Sequence, residues 1–564
     1  IVSIFIPFGE SCSCPFHMSL PVNPEDRNFE RKLSEMSPFE IKGTLISLAQ
    51  KDARCSTATF LNAGRGNPNW LLSFPRKAFF LLGQFAVSES ERRMYDESIG
   101  IASSPVQEGV ARRFLNFLDA HADDKGSHVL RHYYTYMTGE PHKADPDELV
   151  FELVDGILGD HYPTPPRILK YTELITRDYL RWAMGGGDDT TIYDIFATEG
   201  STAGMCYVFN TLQANFLMQR GDKIALLTPC FTPYLEIPRL DEFGLEVVTV
   251  SANKVEQYGY HDWQFPPEEF DKLRDPAVKA VCITNPSNPP SVCLSTQVLE
   301  RLVEVVKKDN PRLMIITDDV YGTFIKGFRS LMYVLPYNTL CLYSYSKYFG
   351  ATGWRVAAMA LRQGNNVFDD LLAELPDDKK AILARRYSSL TLDPSGLKFI
   401  DRLVADSRLV GLNHTAGLST PQQVQMALFS AMAYLHADEL QPKLIEIIHR
   451  RLHDLWSTTG FTLLPDPNRA GYYSEIDLMV WAKKFYGEDF ADYLDKNYEP
   501  IDFVIRMANQ TAIVLLNGDG FDGPKWSVRA SLANLDRDAY LRIGTAIRHI
   551  LDQYHGEYIK ATSG

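Results

Sequence analysis

Lys347 is the residue whose setting most suggests chemistry. It stands in SYSKYFGATGWRVA (344–357), after an apolar run and before a glycine-rich stretch. At a strand end, where α/β sheets place their ligands, a partly desolvated lysine near other cations has a lowered pKa and can form a Schiff base. Arg355 follows eight residues later, and Ser344 and Ser346 flank the start of the motif. Two cations and two hydroxyls around a glycine loop suit a phosphate. Alone, Lys347 reads as a surface lysine after a strand.

Three further motifs stand beside it. TDDVYG (317–322) ends an apolar run and carries Asp318 and Tyr321. An aspartate there can pair with a pyridinium nitrogen, and a tyrosine hydroxyl can bond a phenolic oxygen. ITNPSNPPS (283–291) presents Asn285 before Pro286, and ATEGSTAGM (197–205) sets Gly200, Ser201 and Thr202 ahead of a helical run. Backbone N–H groups and hydroxyls at a helix start bind phosphate well. Each motif by itself could be a turn or a cap. Four in order, each at a strand end or helix start, describe one site.

The elements that must position these residues are legible from residue 163 onward. Short runs rich in β-branched residues alternate with helix-length segments: KIALLTP (223–229), LEVVTVS (245–251), VKAVCITNP (278–286), RLMIITDD (312–319), TLCLYSYS (339–346) and WRVAAMAL (354–361). Runs apolar on both faces and separated by helices predict an α/β fold with a mostly parallel sheet covered by helices. A further strand is expected at WSVRASLAN (526–534) and a closing helix from Arg537. SPFEIKGTLISLAQKDA begins a helix, with Ser37 as cap, Pro38 in the first turn and Glu40 as the third residue after the serine. LNAGRGNPNW (61–70) is a loop forced by its glycines and proline. The expected organisation is an irregular extension over 1–36, a segment at 37–74 joining the small domain, a mainly helical insertion at 75–160, a large domain at 161–440 and a small α/β domain completed by 441–564.

Composition narrows the classes. The 564 residues are 45% hydrophobic and 23% charged, as in a folded globular chain, and the net charge of −14 argues against general nucleic-acid binding. No apolar run reaches the 18 or so residues of a membrane span. Cys55, Cys206, Cys230, Cys282, Cys293 and Cys341 are scattered and read as reduced thiols, and the expected location is cytoplasmic. Cys12 and Cys14 form a C-x-C without a second half, so no metal is expected there. The chain opens IVSIFIPFGESCSCP without Met, so a truncated or processed start is expected; the short apolar stretch lacks a basic flank and is not read as a secretory signal. His449 and His453 are four apart on a helix, but Arg450 and Arg451 between them predict a solvated face rather than a metal pair. GGGDD (185–189) reads as a loop. No G-x-G-x-x-G follows a strand and no G-x-S-x-G is present, against a dinucleotide enzyme and an α/β-hydrolase.

The set EGST, TNPSNPP, DDVY, SYSK and Arg355 resembles the fold-type I pyridoxal-phosphate enzymes, in the aminotransferase subgroup, most closely over residues 160–360 and more loosely through Arg529. The resemblance implies that Lys347 holds pyridoxal 5'-phosphate covalently and shuttles protons. It implies that Asp318 pairs with the ring nitrogen and that Tyr321 and Asn285 bond the phenolic oxygen, Asn285 also reaching the substrate. Gly200, Ser201, Thr202, Ser344 and Arg355 would hold the phosphate, and Phe231 in PCFTPY would stack on the ring. Tyr162, 38 residues before Gly200, would reach the phosphate of a neighbouring subunit, which implies a homodimer at least. Arg529 would take the substrate α-carboxylate.

LNAGRGNPNW, the helical insertion, DHYPTPPRILKYTELITRDYL, ATEGSTAGMCYVF and SYSKYFGATGWRVA together are similar to the aspartate 4-decarboxylase branch of that family, over about residues 37–555. That branch implies β-decarboxylation of L-aspartate to L-alanine and CO2, a secondary aminotransferase activity with a 2-oxo acid acceptor, and larger rings of dimers. Plain aspartate aminotransferases carry an arginine on the β-carboxylate four residues before an S-N-P-P-like segment. The corresponding segment here is LSTPQQ, and four before Ser419 stands Thr415, with His414 beside it. Arg65 is expected to orient the β-carboxylate loosely, whereas Lys42 reads as a helix surface charge. A plain aminotransferase and a non-catalytic relative that keeps the fold remain the competing readings; intact Lys347, Asp318, Tyr321 and Arg355 argue against the latter.

Overall fold

The structure, a computed structural model, describes residues 24–55, 59–252, 261–415 and 417–563. The expectations for Cys12, Cys14 and the Cys55 thiol, and for residues 1–23, lie outside the described residues and side chains.

Seven strands form the central sheet: β1 (Tyr193–Thr198), β2 (Lys223–Thr228), β3 (Glu246–Ser251), β4 (Val278–Thr284), β5 (Met314–Asp318), β6 (Thr339–Ser344) and β7 (Ala357–Arg362). Their spatial order is β1-β7-β6-β5-β4-β2-β3, and only β7 runs antiparallel to its neighbours. Every residue of β5 and β6 is buried, which is why these strands read as continuous apolar runs. Ile316, Leu342 and Met359 face the helices Ser201–Ala214 and Phe399–Ser407. On the opposite face Tyr343 and Ala358 pack on helix Lys170–Ala183, and Ile283 and Ile315 on helix Thr296–Lys308. Strand β1 escaped the sequence reading because Asp194 interrupts its apolar pattern. The buried Asp194 is accommodated by Arg167, Arg177 and Lys398 at 3.7, 3.7 and 3.5 Å.

A separate apolar cluster unites both ends of the chain, joining Ile41 and Leu45 to Trp481, Phe503, Ile547 and Tyr554. Its sheet has Ser527–Ser531 between Tyr473–Asp477 and Leu516–Asn517. Leu61–Asn62 pairs in parallel with Ile513–Val514, so the N-terminal loop is fastened to this unit. Helices Ser73–Ser90, Val110–Ala120, Lys125–Thr138 and Pro146–Leu158 form a further cluster against helix Thr420–Leu435. No described helix is long and apolar enough to cross a membrane.

Two expectations are corrected. Residues 1–36 were expected to be irregular, yet Pro24–Ser34 is a helix. Pro24 suits its first position, and Arg31 and Lys32 in its last turn complement the dipole. Arg451 was placed on a solvated face, yet it is 9% exposed. It turns inward from helix Ala437–Ser457 and donates to the carbonyls of Leu532 and Ala533 and to Asn69 Oδ1, at 3.1, 3.0 and 2.8 Å. His449, Arg450 and His453 are exposed.

Candidate active site

The candidate residues converge at the C-terminal ends of β4, β5 and β6. Register aligns Thr284 with Asp318 and Asp318 with Leu342, so Asn285, Asp318 and Ser344 sit along one edge. Ala357 on β7 lies opposite both Ser344 and Thr198, which carries the Glu199–Ser201 turn to the same edge. The pairing of an antiparallel strand between two parallel ones therefore assembles motifs that are about 150 residues apart in sequence.

Lys347 follows β6 in a turn, and its Nζ donates to the Gly66 carbonyl at 3.1 Å. The loop after the N-terminal helix thus closes over the site. A Cβ at residue 66 would lie 2.6 Å from Tyr473 Oη and 3.2 Å from Lys347 Nζ, so only glycine permits this approach. Asp318 is 6% exposed; Tyr234 Oη donates to its Oδ2 at 3.2 Å and the Val320 amide to its Oδ1 at 3.4 Å. Burial raises its carboxyl pKa to about 6, against the opposing pull of Tyr234, Val320 and the Lys347 charge. Lys347 and Asp318 therefore share one crevice.

The residues present fit pyridoxal phosphate. Ser201 Oγ and Asn285 Nδ2 are buried and without a hydrogen-bond partner, one at the helix start and the other beside Asp318. An unpartnered buried donor is costly unless a ligand satisfies it. Gly200 has φ +100°, and a Cβ there would lie 2.2 Å from Arg355 Nη2. Arg355 donates to the Thr352 carbonyl at 2.9 Å and sits 3.5 Å from the Glu199 carbonyl, over the same turn. Ser344 Oγ donates to Ser346 Oγ at 2.9 Å. Thr202 is exposed in the first turn of the helix. Phe231 is half-buried, edge-on to Phe39 and Tyr234. Asn285 Oδ1 accepts from the Leu294 amide at 3.0 Å, and Tyr321 Oη donates to Tyr473 Oη at 3.1 Å.

Arg529 lies at the other end of the crevice, 1% exposed. It donates to Asn288 Oδ1 at 3.2 Å and to the Gly64 carbonyl at 3.1 Å, while its Nε is unpartnered. It forms no ion pair among the described residues. The rings of Tyr473 and Phe521 lie 4.4 and 4.8 Å from its guanidinium. A buried cation lacking an anion is a costly arrangement that an incoming carboxylate relieves.

Lys42 departs from the sequence reading. It is half-buried, and burial, then the charges of Arg529 and Arg65, lower its ammonium pKa. Pro38–Cys55 lies against the C-terminal unit, which turns this face of the helix inward toward Arg529. Arg65 is exposed on the neighbouring loop. Tyr162 is 65% exposed, and no hydrogen bond joins it to the site among the described residues. Thr415 and His414 are exposed as well. Sequence reasoning missed Tyr473, Tyr234 and Asn288. Tyr234 stands in a segment already singled out for Phe231.

The chain matches the Aminotransferase class I and II family over residues 196–394. A bifunctional aspartate aminotransferase and L-aspartate beta-decarboxylase from a Pseudomonas species is 45% identical over 530 residues, 94% of this chain and 98% of that protein. Solved structures share the fold at low identity. The aspartate aminotransferase of Rhizobium meliloti superposes with TM-score 0.56 at 12% identity, covering 92% of this chain and 96% of that one. A double mutant of the Thermus thermophilus aspartate aminotransferase gives 0.53 at 16%, covering 92% and 96%. The architecture is that of the fold-type I aminotransferases. The chain belongs to the aminotransferase class I and II family, an enzyme family dependent on pyridoxal phosphate, in the branch of the bifunctional aspartate aminotransferase and L-aspartate beta-decarboxylase.

Proposed function

We propose that this protein binds pyridoxal 5'-phosphate at Lys347 and converts L-aspartate to L-alanine and CO2, with a secondary aspartate aminotransferase activity toward a 2-oxo acid. The observation that carries the reading is the buried, unpaired Arg529 in the same crevice as Lys347 and Asp318. The Pseudomonas relative bears both activities in its name.

The bound cofactor supplies an electron sink for the pair released at the substrate. Lys347 would hold it covalently, and its amine is the group placed to take and return the Cα proton. Asp318, ionised by a cationic partner, holds the ring nitrogen protonated. Asn285 and Tyr321 orient the phenolic oxygen. Ser201, Thr202, Ser344, Arg355 and the helix start at Gly200 hold the phosphate, and Phe231 covers the ring. Arg529 binds the α-carboxylate. Tyr162, exposed in its own chain, serves the site of a second copy, so the active unit is at least a homodimer.

The β-carboxylate decides the outcome. A tight arginine clamp would stabilise its charge more in the ground state than in a transition state where that charge disperses. Aligned on LSTPQQ, this chain has Thr415 at the position of that arginine, which leaves Lys42 and Arg65 to orient the group. The five described free cysteines suit a cytoplasmic enzyme.

The test is a product balance from L-aspartate. Alanine and CO2 in equal amounts are expected, with little oxaloacetate. Glutamate formed from 2-oxoglutarate without CO2 would establish a plain aminotransferase instead.

A further inference from the structure

Tyr473 is a buried side chain at the centre of the site that the reading above leaves without a role. It is 2% exposed on the strand Tyr473–Asp477, next to the strand that carries Arg529. Its ring lies 4.4 Å from the Arg529 guanidinium, and its hydroxyl borders the same point beside Gly66 as Lys347 Nζ. The hydroxyl thus stands between the group assigned to Cα and the group assigned to the α-carboxylate. An aspartate held by Arg529 with Cα against Lys347 therefore lies beside Tyr473, and its β-carbon is one bond from that Cα.

The surroundings also favour proton donation. Tyr321 from the turn after β5, Lys347 from the turn after β6 and Arg529 from the neighbouring strand face the phenol, and Tyr472 immediately precedes it in the chain. Burial opposes ionisation of Tyr473, but Lys347, Arg529 and the hydrogen bond from Tyr321 outweigh it and leave the pKa below the usual tyrosine value. Tyr321 and Tyr472, equally buried, are pushed well above that value. Of the three hydroxyls, only that of Tyr473 is shifted toward the range where a general acid works.

We propose that Tyr473 is a catalytic acid of the decarboxylation, the group that delivers to the substrate β-carbon the proton that replaces CO2. The inference rests on the reading of this site as an aspartate β-decarboxylase. The bond between Cβ and the carboxylate breaks, and its electron pair ends in the new Cβ–H bond. The Tyr473 O–H bond breaks, its pair stays on the phenolate beside Lys347 and Arg529, and water restores the proton.

The test compares the holoenzyme with Tyr473→Phe, which keeps the ring against Arg529. The ratio of alanine to oxaloacetate formed from L-aspartate is expected to fall about tenfold or more. In the cofactor-free proteins, ultraviolet difference titration is expected to show one tyrosinate appearing below the usual tyrosine range in the wild type and absent from the variant. An unchanged product ratio, equal loss of both products, or superimposable titrations would overturn the assignment. Absence of alanine from the wild-type enzyme would overturn the parent reading, and this one with it; alanine formed in undiminished proportion by the variant would overturn this one alone.

Discussion

Glu475 stands directly across the strand pair from Arg529 and does not neutralise it. Its carboxyl turns instead to Ser527, whose Oγ donates to Oε1 at 3.0 Å, in a space that Gly518 and Gly523 leave open. Burial raises its pKa to about 8, with Asp477 adding to the rise and Ser527 and Arg529 opposing it. Held neutral, Glu475 leaves the guanidinium charge for a substrate carboxylate.

This predicts a pH signature. Glu475 binds its proton in the folded chain and releases it in the unfolded one between its usual pKa of 4.5 and about 8. The folded state therefore holds the extra proton in that window, and stability falls as pH rises through it. Glu475→Gln removes this slope. Thermal melts of both proteins across the window should show the wild-type Tm falling relative to the variant; parallel curves would contradict a neutral Glu475.

Arg529→Lys keeps the charge but loses the planar fork. The expected loss in kcat/KM for L-aspartate is about 10- to 150-fold, the value of a charge-assisted bidentate bond, and falls chiefly on KM. Steady-state kinetics with L-aspartate check it. A variant with wild-type KM would move the α-carboxylate elsewhere.

Lys347→Ala should remove the covalent link. Borohydride reduction of the wild-type holoenzyme followed by peptide mass spectrometry is expected to place the cofactor on Lys347, and the variant should lose roughly a thousandfold or more in activity. A purified wild-type protein that stays colourless after pyridoxal phosphate is added would contradict the cofactor assignment.

Gly200→Ala should weaken the phosphate site. An alanine at φ +100° is strained by about 1–3 kcal/mol, and its Cβ would press on Arg355 Nη2. Pyridoxal phosphate should dissociate about tenfold or more readily, read by fluorescence titration of the cofactor-free protein.

Much of this was legible in the amino-acid sequence. Strands β2, β4, β5 and β6 are buried on both faces over most of their length, so their residues are mainly apolar, Lys279 of β4 excepted, and the motifs that follow them keep short local spacings. Lys347, Asp318, Asn285 and Arg355 could be singled out for that reason. The short strand Tyr473–Asp477 could not, because it mixes Tyr, Ser, Glu and Asp in five residues and all but the last are buried. Its polar groups are satisfied by partners from distant segments: Ser527 is 52 residues away from Glu475, and Tyr321 is 152 from Tyr473.

Six of the seven strands of the central sheet, the turns at their ends and the chemistry those turns carry are written in the local sequence, because burial pattern and turn residues act over a few neighbours. Folding is what brings Gly66 to Lys347, turns Lys42 inward and leaves Arg529 without an anion among the described residues. Those relationships join residues hundreds of positions apart, and packing of the two chain ends onto the sheet is what brings them within reach.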